Sequence, residues 1–249
     1  VDATVNGTVA PTSATPTTAP TAKCPTTQGA FYISTDAGQT WNPIAGPQGA
    51  GDPDPLVVSP TYQSDKTIFG TFTINLAPAL YKSTDSGQTW TKVLDGRQNP
   101  IGLSSNFAQD HTLIAVSVDK VQRSADGGQT WTTLTTPVPG GKVAEVAFSP
   151  NFATDKTVAL VSSQVDQGSS DVHGTFISTD GGTTFAASGP VTLRGTNGPA
   201  FVFSPNFATD KTVYTASLDQ GQGPAKSTDL GKTWTAINTG LDLVPPLGG

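Results

Sequence analysis

The sequence predicts an all-β fold: a five-bladed β-propeller of four-stranded antiparallel blades, carrying an extended N-terminal arm. Three observations lead there. An octet of the form Ser-x-Asp-x-Gly-x-Thr-Trp/Phe occurs five times, at Ser34–Trp41, Ser83–Trp90, Ser124–Trp131, Ser178–Phe185 and Ser227–Trp234. Its Asp residues are 49, 41, 54 and 49 positions apart, and self-similarity at such a period marks a repeat architecture. A second motif of the type Ser-Pro-Asn-Phe-Ala-Thr-Asp-Lys-Thr precedes four of the five octets. Between the motifs run short segments rich in Val, Thr, Phe and Ala, broken by Gly, Pro, Asn and Asp and almost without helical spacing.

The chain divides at about residue 28. Residues 1–28 form a Thr/Pro-rich arm or stalk (PTSATPTTAPTAKCPTT from Pro11), a composition that builds no core and favours an extended backbone. Within it, Ala3–Val9 alternates as a candidate strand, and Asn6-Gly7-Thr8 is a glycosylation sequon in a host that glycosylates. Residues 29–249 hold the repeats. Apolar residues lead into each octet, for example Phe31 and Ile33 or Phe176 and Ile177, so the octet reads as strand, tight turn, strand. The carboxylates of Asp36, Asp85, Asp126, Asp180 and Asp229 are expected to accept N–H groups two or three residues on. Gly38, Gly87, Gly128, Gly182 and Gly231 are expected to supply positive φ. Trp41, Trp90, Trp131, Phe185 and Trp234 then offer an apolar ring to the core.

The second motif stands at Ser59–Thr67, Ser104–Thr112, Ser149–Thr157 and Ser204–Thr212, each between apolar runs such as Leu56–Val58 and Val158–Val161. One repeat is therefore strand A, this loop, strand B, a variable loop, strand C, the octet turn and strand D. The A–B and C–D turns share one end of every blade. The D–A and B–C loops share the other, and these differ between copies, which is where function sits on a rigid scaffold. The first octet has strands C and D but no A–B unit before it. Leu241–Pro246 resembles the A strand Leu56–Pro60 and is its candidate replacement; Ala3–Val9 is the candidate for strand B, and the reach of the Thr/Pro stretch would let it enter a neighbouring subunit instead.

The octet resembles the Asp-box, or BNR, repeat of sialidase-like and sortilin-like β-propellers. In that family the box is a structural hairpin between the third and fourth strands of a blade, away from the catalytic face, so the resemblance implies architecture more than activity. Sialidases of the family use a tyrosine nucleophile, an arginine triad and an Arg-Ile-Pro motif. No Arg-Ile-Pro occurs here, and of three arginines Arg123 occupies a strand position that is Lys82 and Lys226 in other copies. Arg97 and Arg194 remain, one short of a triad.

Composition narrows the function. The net charge is −6, and 18 of 19 acidic residues are Asp, suited to turns. No basic cluster points to nucleic acid, and no apolar run reaches a membrane span. The absence of methionine, even at position 1, is simplest to explain by removal of a secretory signal, placing the protein outside the cell or at its surface. Cys24, the only cysteine, is a candidate intermolecular thiol. Asp52, Asp54, Arg97, Glu145, His173 and Arg194 form the candidate binding face on the variable end. Glu145 is the single Glu, on an A strand where other copies carry Pro55, Pro100 and Ala200; facing the central channel, it would be satisfied by water. His111 and His173 are isolated, and no pattern of metal ligands, phosphate loop or cofactor motif is present, so no metal, cofactor or catalytic residue is assigned. The reading is a non-enzymatic structural or binding subunit that associates with other protein subunits, including its own copies. The alternative is a glycan-binding or glycoside-hydrolase-like propeller.

Overall fold

The computed structural model describes residues 31–118, 120–135, 138, 143–162, 174–188, 200–217 and 223–240. The arm with Ala3–Val9 and Cys24, the loop holding His173, the loop holding Arg194 and the segment Leu241–Pro246 lie outside these residues. The described chain is all-β apart from four single helical turns. The first repeat contributes β1 (Phe31–Ile33) and β2 (Asn42–Ile44), an antiparallel pair. The second contributes β3 (Leu56–Val58), β4 (Ile68–Ile74), β5 (Ala77–Ser83) and β6 (Thr91–Asp95). The third contributes β7 (Ile101–Leu103), β8 (Leu113–Val116), β9 (Val121–Ser124) and β10 (Thr132–Leu134). In the fourth stand β11 (Val143–Phe148), β12 (Val158–Ser162), β13 (Thr175–Ser178) and β14 (Ala186–Ala187). The fifth ends the described chain with β15 (Ala200–Phe203), β16 (Val213–Ser217), β17 (Gly223–Ser227) and β18 (Thr235–Ala236). In repeats two to five the strands pair in sequence order, giving four antiparallel meanders with the A, B, C, D order read from the sequence.

The A–B loops are more ordered than expected. Each contains one helical turn: α1 (Tyr62–Asp65), α2 (Phe107–Asp110), α3 (Phe152–Asp155) and α4 (Phe207–Asp210). A buried aromatic anchors each turn, and each ends in a left-handed residue, Lys66, His111, Lys156 or Lys211. The motif's Ser and Asp tie the loop closed. Ser104 Oγ donates to Asp110 Oδ2 at 2.6 Å, and Thr112 N donates to Asp110 Oδ1 at 2.9 Å. The Lys that caps the turn folds its Nζ over the anchoring ring, 5.3 Å from the Tyr62 centroid and 5.3 Å from Phe207. His111 takes that place against Phe107.

The core lies between consecutive sheets, not within one. Phe69 and Leu80 of the second repeat pack with Ile101, Leu103, Phe107 and Leu113 of the third. Ile114 and Val116 of the third meet Phe152, Val158, Leu160 and Phe176 of the fourth. Ala159, Val161 and Ile177 of the fourth meet Phe201, Phe203, Phe207 and Val213 of the fifth. Ile44 joins the first repeat to Tyr62 and Ile68 of the second. Successive strand residues point to opposite faces, so each sheet serves two such layers.

Candidate functional site

The box turn is built differently from the simple Asx-turn expected. Ser34 Oγ donates to Asp36 Oδ1 at 2.8 Å and accepts the Gly38 N–H at 2.7 Å. Asp36 Oδ1 accepts Thr40 N at 2.8 Å, and Oδ2 accepts Thr40 Oγ1 at 2.6 Å. The main donor therefore lies four residues on; N–H groups three residues on reach the carboxylate at Gln129 and Thr183. The reason is width. Both the residue before the box glycine and the glycine itself are left-handed, as at Ala37 (φ 58) and Gly38 (φ 86), which carries the chain one residue further round.

These bonds set the charge state. The Thr hydroxyl, with the same residue's N–H, holds Asp36, Asp85, Asp126 and Asp229 down at about 2. At Asp180 partial burial pushes upward, but the Thr184 hydroxyl and N–H outweigh it and the carboxyl again lies at about 2. A carboxyl whose folded pKa lies below its ordinary 3.8 adds stability above that value and loses it as pH falls towards 2. The melting temperature is accordingly expected to hold above pH 5 and to drop between pH 4 and pH 2. A melt that stays flat to pH 2 contradicts this. Glu145 has the opposite sign, since burial raises its pKa.

At the second and third boxes the ring that the sequence offers to the core packs on the preceding repeat. Trp90 Nε1 donates to the Ala45 carbonyl at 2.8 Å, and Trp131 Nε1 to the Val93 carbonyl at 3.0 Å. Strand C returns the contact to the following repeat. Lys82 Nζ donates to the Gly127 carbonyl at 2.9 Å, and Arg123 Nε to the Gly181 carbonyl at 2.7 Å. Burial lowers the Lys82 pKa. Sequence reading counted Arg123 only as missing from a triad; its alignment with Lys82 was the signal for this role. The A–B and box turns do share one end: Gly127 N donates to the His111 carbonyl at 2.9 Å and Gly181 N to the Lys156 carbonyl at 2.9 Å.

At the other end, two expected residues meet. Arg97, in the loop before β7, pairs with Asp54, in the loop before β3, and both are exposed. Asp52 stands exposed two residues before Asp54. Gln98, the next residue and one that sequence reading passed over, is buried; its Nε2 donates to the Asp95 carbonyl at 3.0 Å, and its backbone carbonyl accepts Thr71 Oγ1 at 2.9 Å. Only its place beside Arg97 in a variable loop could have pointed to it. Glu145 stands apart from this pair. Its Oε2 accepts the Phe201 N–H at 3.1 Å, so a backbone donor of the next repeat engages it, where water was expected. Among the described residues no cluster of three or more His, Cys, Asp or Glu is placed to hold a metal ion.

Comparison with known proteins agrees with this geometry. The Sortilin-Vps10 family, described as "Sortilin, neurotensin receptor 3", matches residues 78–231, and the BNR/Asp-box repeat matches residues 32–43. No curated protein matches the chain. An ancestral GH74 enzyme is 19% identical over 79% of this chain and 25% of its own, with a TM-score of 0.55. TolB from Acinetobacter baumannii is 17% identical over 82% of this chain and 47% of its own, with a TM-score of 0.54. A chain of the nidogen/laminin complex is 12% identical over 78% of this chain and 68% of its own, with a TM-score of 0.51. The chain thus spans a quarter of the GH74 enzyme and about half of TolB. At these identities the shared feature is the propeller-type fold.

Proposed function

The chain belongs to the Sortilin-Vps10 family, and from that premise we propose that it is a non-enzymatic binding subunit, extracellular or lumenal, whose partners are proteins. One observation carries this reading. The carboxylates of the box motif are spent on their own turns, each engaged by Ser and Thr donors within four residues, and those of the A–B motif are tied to their own loops in the same way. Glu145 is engaged by Phe201 N. Glycoside hydrolysis by acid pairs needs two carboxyls facing each other across the scissile bond, and these are distributed one per turn. The variable end, with the Asp54–Arg97 pair exposed, is the surface left for recognition. No described helix is long and apolar enough to cross a membrane.

The second reading, a glycan-active propeller, draws on the likeness to the GH74 enzyme. Turnover assays on sialosides and aryl glycosides separate the two. We expect no turnover; robust turnover abolished by Glu145→Gln or Arg97→Ala overturns the non-enzymatic reading.

Self-association through the N-terminal arm belongs to the same proposal. Its basis is the Thr/Pro composition, which at ~3.1 Å per residue spans on the order of 50 Å over the stretch between Val9 and Gln28, and the lack of the second sequence motif before the first octet. Cys24 would lock such a contact. The chain without residues 1–27 is expected to lose assembly. If it assembles, melts and elutes like the full chain, the arm has no such role.

A further inference from the structure

The hairpin joining β4 to β5 carries a residue that works against its own turn. The two residues at its tip, Asn75 (φ 52) and Leu76 (φ 64), are both left-handed. Two such residues make the tight turn whose twist matches the strands, and Asn followed by Gly suits it best. The boxes keep that preference: Gly38, Gly87, Gly128, Gly182 and Gly231 each follow a left-handed residue. At the hairpin the second place goes to leucine, whose Cβ crowds the carbonyl that follows. Leu230 is left-handed too (φ 61), but its side chain is half-buried against the core between the fourth and fifth sheets, so packing offsets the strain. Leu76 has no such return. It is 95% exposed, more than any other large apolar side chain described.

The register lifts this tip clear of its blade. β4 and β5 have seven residues each, the longest strands described. On the strand A side the last bonds to β4 are at Thr71, whose N–H donates to the Pro55 carbonyl and whose carbonyl accepts Asp54 N. On the strand D side the last is at Pro78, whose carbonyl accepts Gly96 N. Beyond these points the described residues pair β4 and β5 only with each other, Thr73 with Pro78 and Ile74 with Ala77. Ile74 lies three residues past Thr71, so the tip stands about 10 Å above the flanking loops at ~3.3 Å per residue. At its foot Asp54 is paired with Arg97 and Asp95 with Lys92, while Asp52 is exposed and in no ion pair among the described residues. Three carboxylates against two cations leave the foot with one net negative charge, at Asp52.

A residue that strains the backbone and holds an apolar side chain in water serves the fold in neither respect, and such outliers gather where a protein meets its ligands. We propose that this hairpin is a docking finger: Leu76 enters an apolar pocket on a folded protein partner, and Asp52 takes a basic side chain from the rim of that pocket. This rests on the reading that the partners are proteins, and it names the residues that engage them. A bilayer is the poorer occupant. Even a myristoyl chain gives only marginal membrane binding, one leucine buries far less, and a chain of net charge −6 is repelled by anionic lipid. A pocket adds close packing and the Asp52 bond to the same apolar contact, the apolar centre and polar rim of a protein interface.

The test has a part that needs no partner. Leu76→Gly removes the strain and the side chain together, and is expected to leave the melting temperature unchanged or to raise it by up to about 4 °C. A fall would show that Leu76 serves the fold, and overturns the proposal. For the second part, the full chain with a photoreactive benzophenone amino acid in place of Leu76 is irradiated in an extract of the source organism. The protein it joins is purified, and its Kd is measured for the wild-type chain, Leu76→Gly and Asp52→Asn. A tenfold or greater rise in Kd for Leu76→Gly is expected, with a smaller rise for Asp52→Asn that fades at high salt. An unchanged Kd for Leu76→Gly discards the finger while leaving the protein-binding reading standing. A label that joins a second copy of this chain, or a chain held by phosphatidylcholine vesicles in place of any protein, overturns the proposed occupant. A full chain that retains no protein at all overturns both readings.

Discussion

Phe107→Ala is expected to lower the unfolding free energy by about 3–5 kcal/mol, the range for deleting a fully buried aromatic ring. Phe107 is buried at the heart of the layer between the second and third sheets. Its ring meets Phe69 edge-on at 5.7 Å and His111 at 5.9 Å. Its carbonyl also accepts the His111 N–H that closes the helical turn at 2.9 Å, so the substitution opens a cavity where the A–B loop is anchored and the loop cannot collapse to fill it. Denaturant unfolding measures the loss. Val202→Ala, at an exposed position of β15, is the control and should change stability by about 0.5 kcal/mol or less. Equal effects from the two would mean that the layer between sheets does not hold the repeats together.

Gly87→Ala is expected to be the next most damaging, at about 2–5 kcal/mol, and Gly38→Ala marks how much of that comes from packing. Both glycines have φ 86, so both substitutions strain the backbone by roughly 1–2 kcal/mol. Beyond that they differ. A Cβ on Gly87 would overlap Cγ2 of Ile44 in the preceding repeat, while one on Gly38 meets no atom of the described residues within 4 Å. Forcing an extra carbon into a packed seam adds about 1–3 kcal/mol. Thermal melts of the two variants should therefore separate, with Gly38→Ala the milder. If they coincide, the box glycine is required for its backbone alone and the seam contributes nothing.

Most of the repeat was legible because its devices are local. The bonds that shape the box, from Ser34 through Asp36 to Thr40, all fall within four residues, so a Ser, an Asp, a Gly and a Thr at fixed spacing specify them wherever they occur. The helical turn at Phe152–Asp155 was read as plain loop because one turn carries no periodicity to recognise. Of the candidate binding face, the sequence placed Asp54 and Arg97 on the same end of the fold but could not pair them, since 43 residues and three turns separate them. It also set Glu145 beside water, because the Phe201 N–H that engages it comes from a strand 56 residues on.

By itself, then, the sequence determined the hairpins, their four-strand order and which turns share an end, because each follows from hydrogen bonds and alternation inside one repeat. The tertiary structure alone decided which neighbour each side chain serves. Trp131 reaches back 38 residues to Val93, and Arg123 reaches forward 58 to Gly181. Neither partner is marked in the sequence: both are backbone carbonyls, which every residue possesses, and only the stacking of one sheet on the next selects which of them lies within reach. The same stacking left Trp41 exposed while burying much of its counterparts. The same motif thus acquires a different environment from its place in the array and not from the residues that define it.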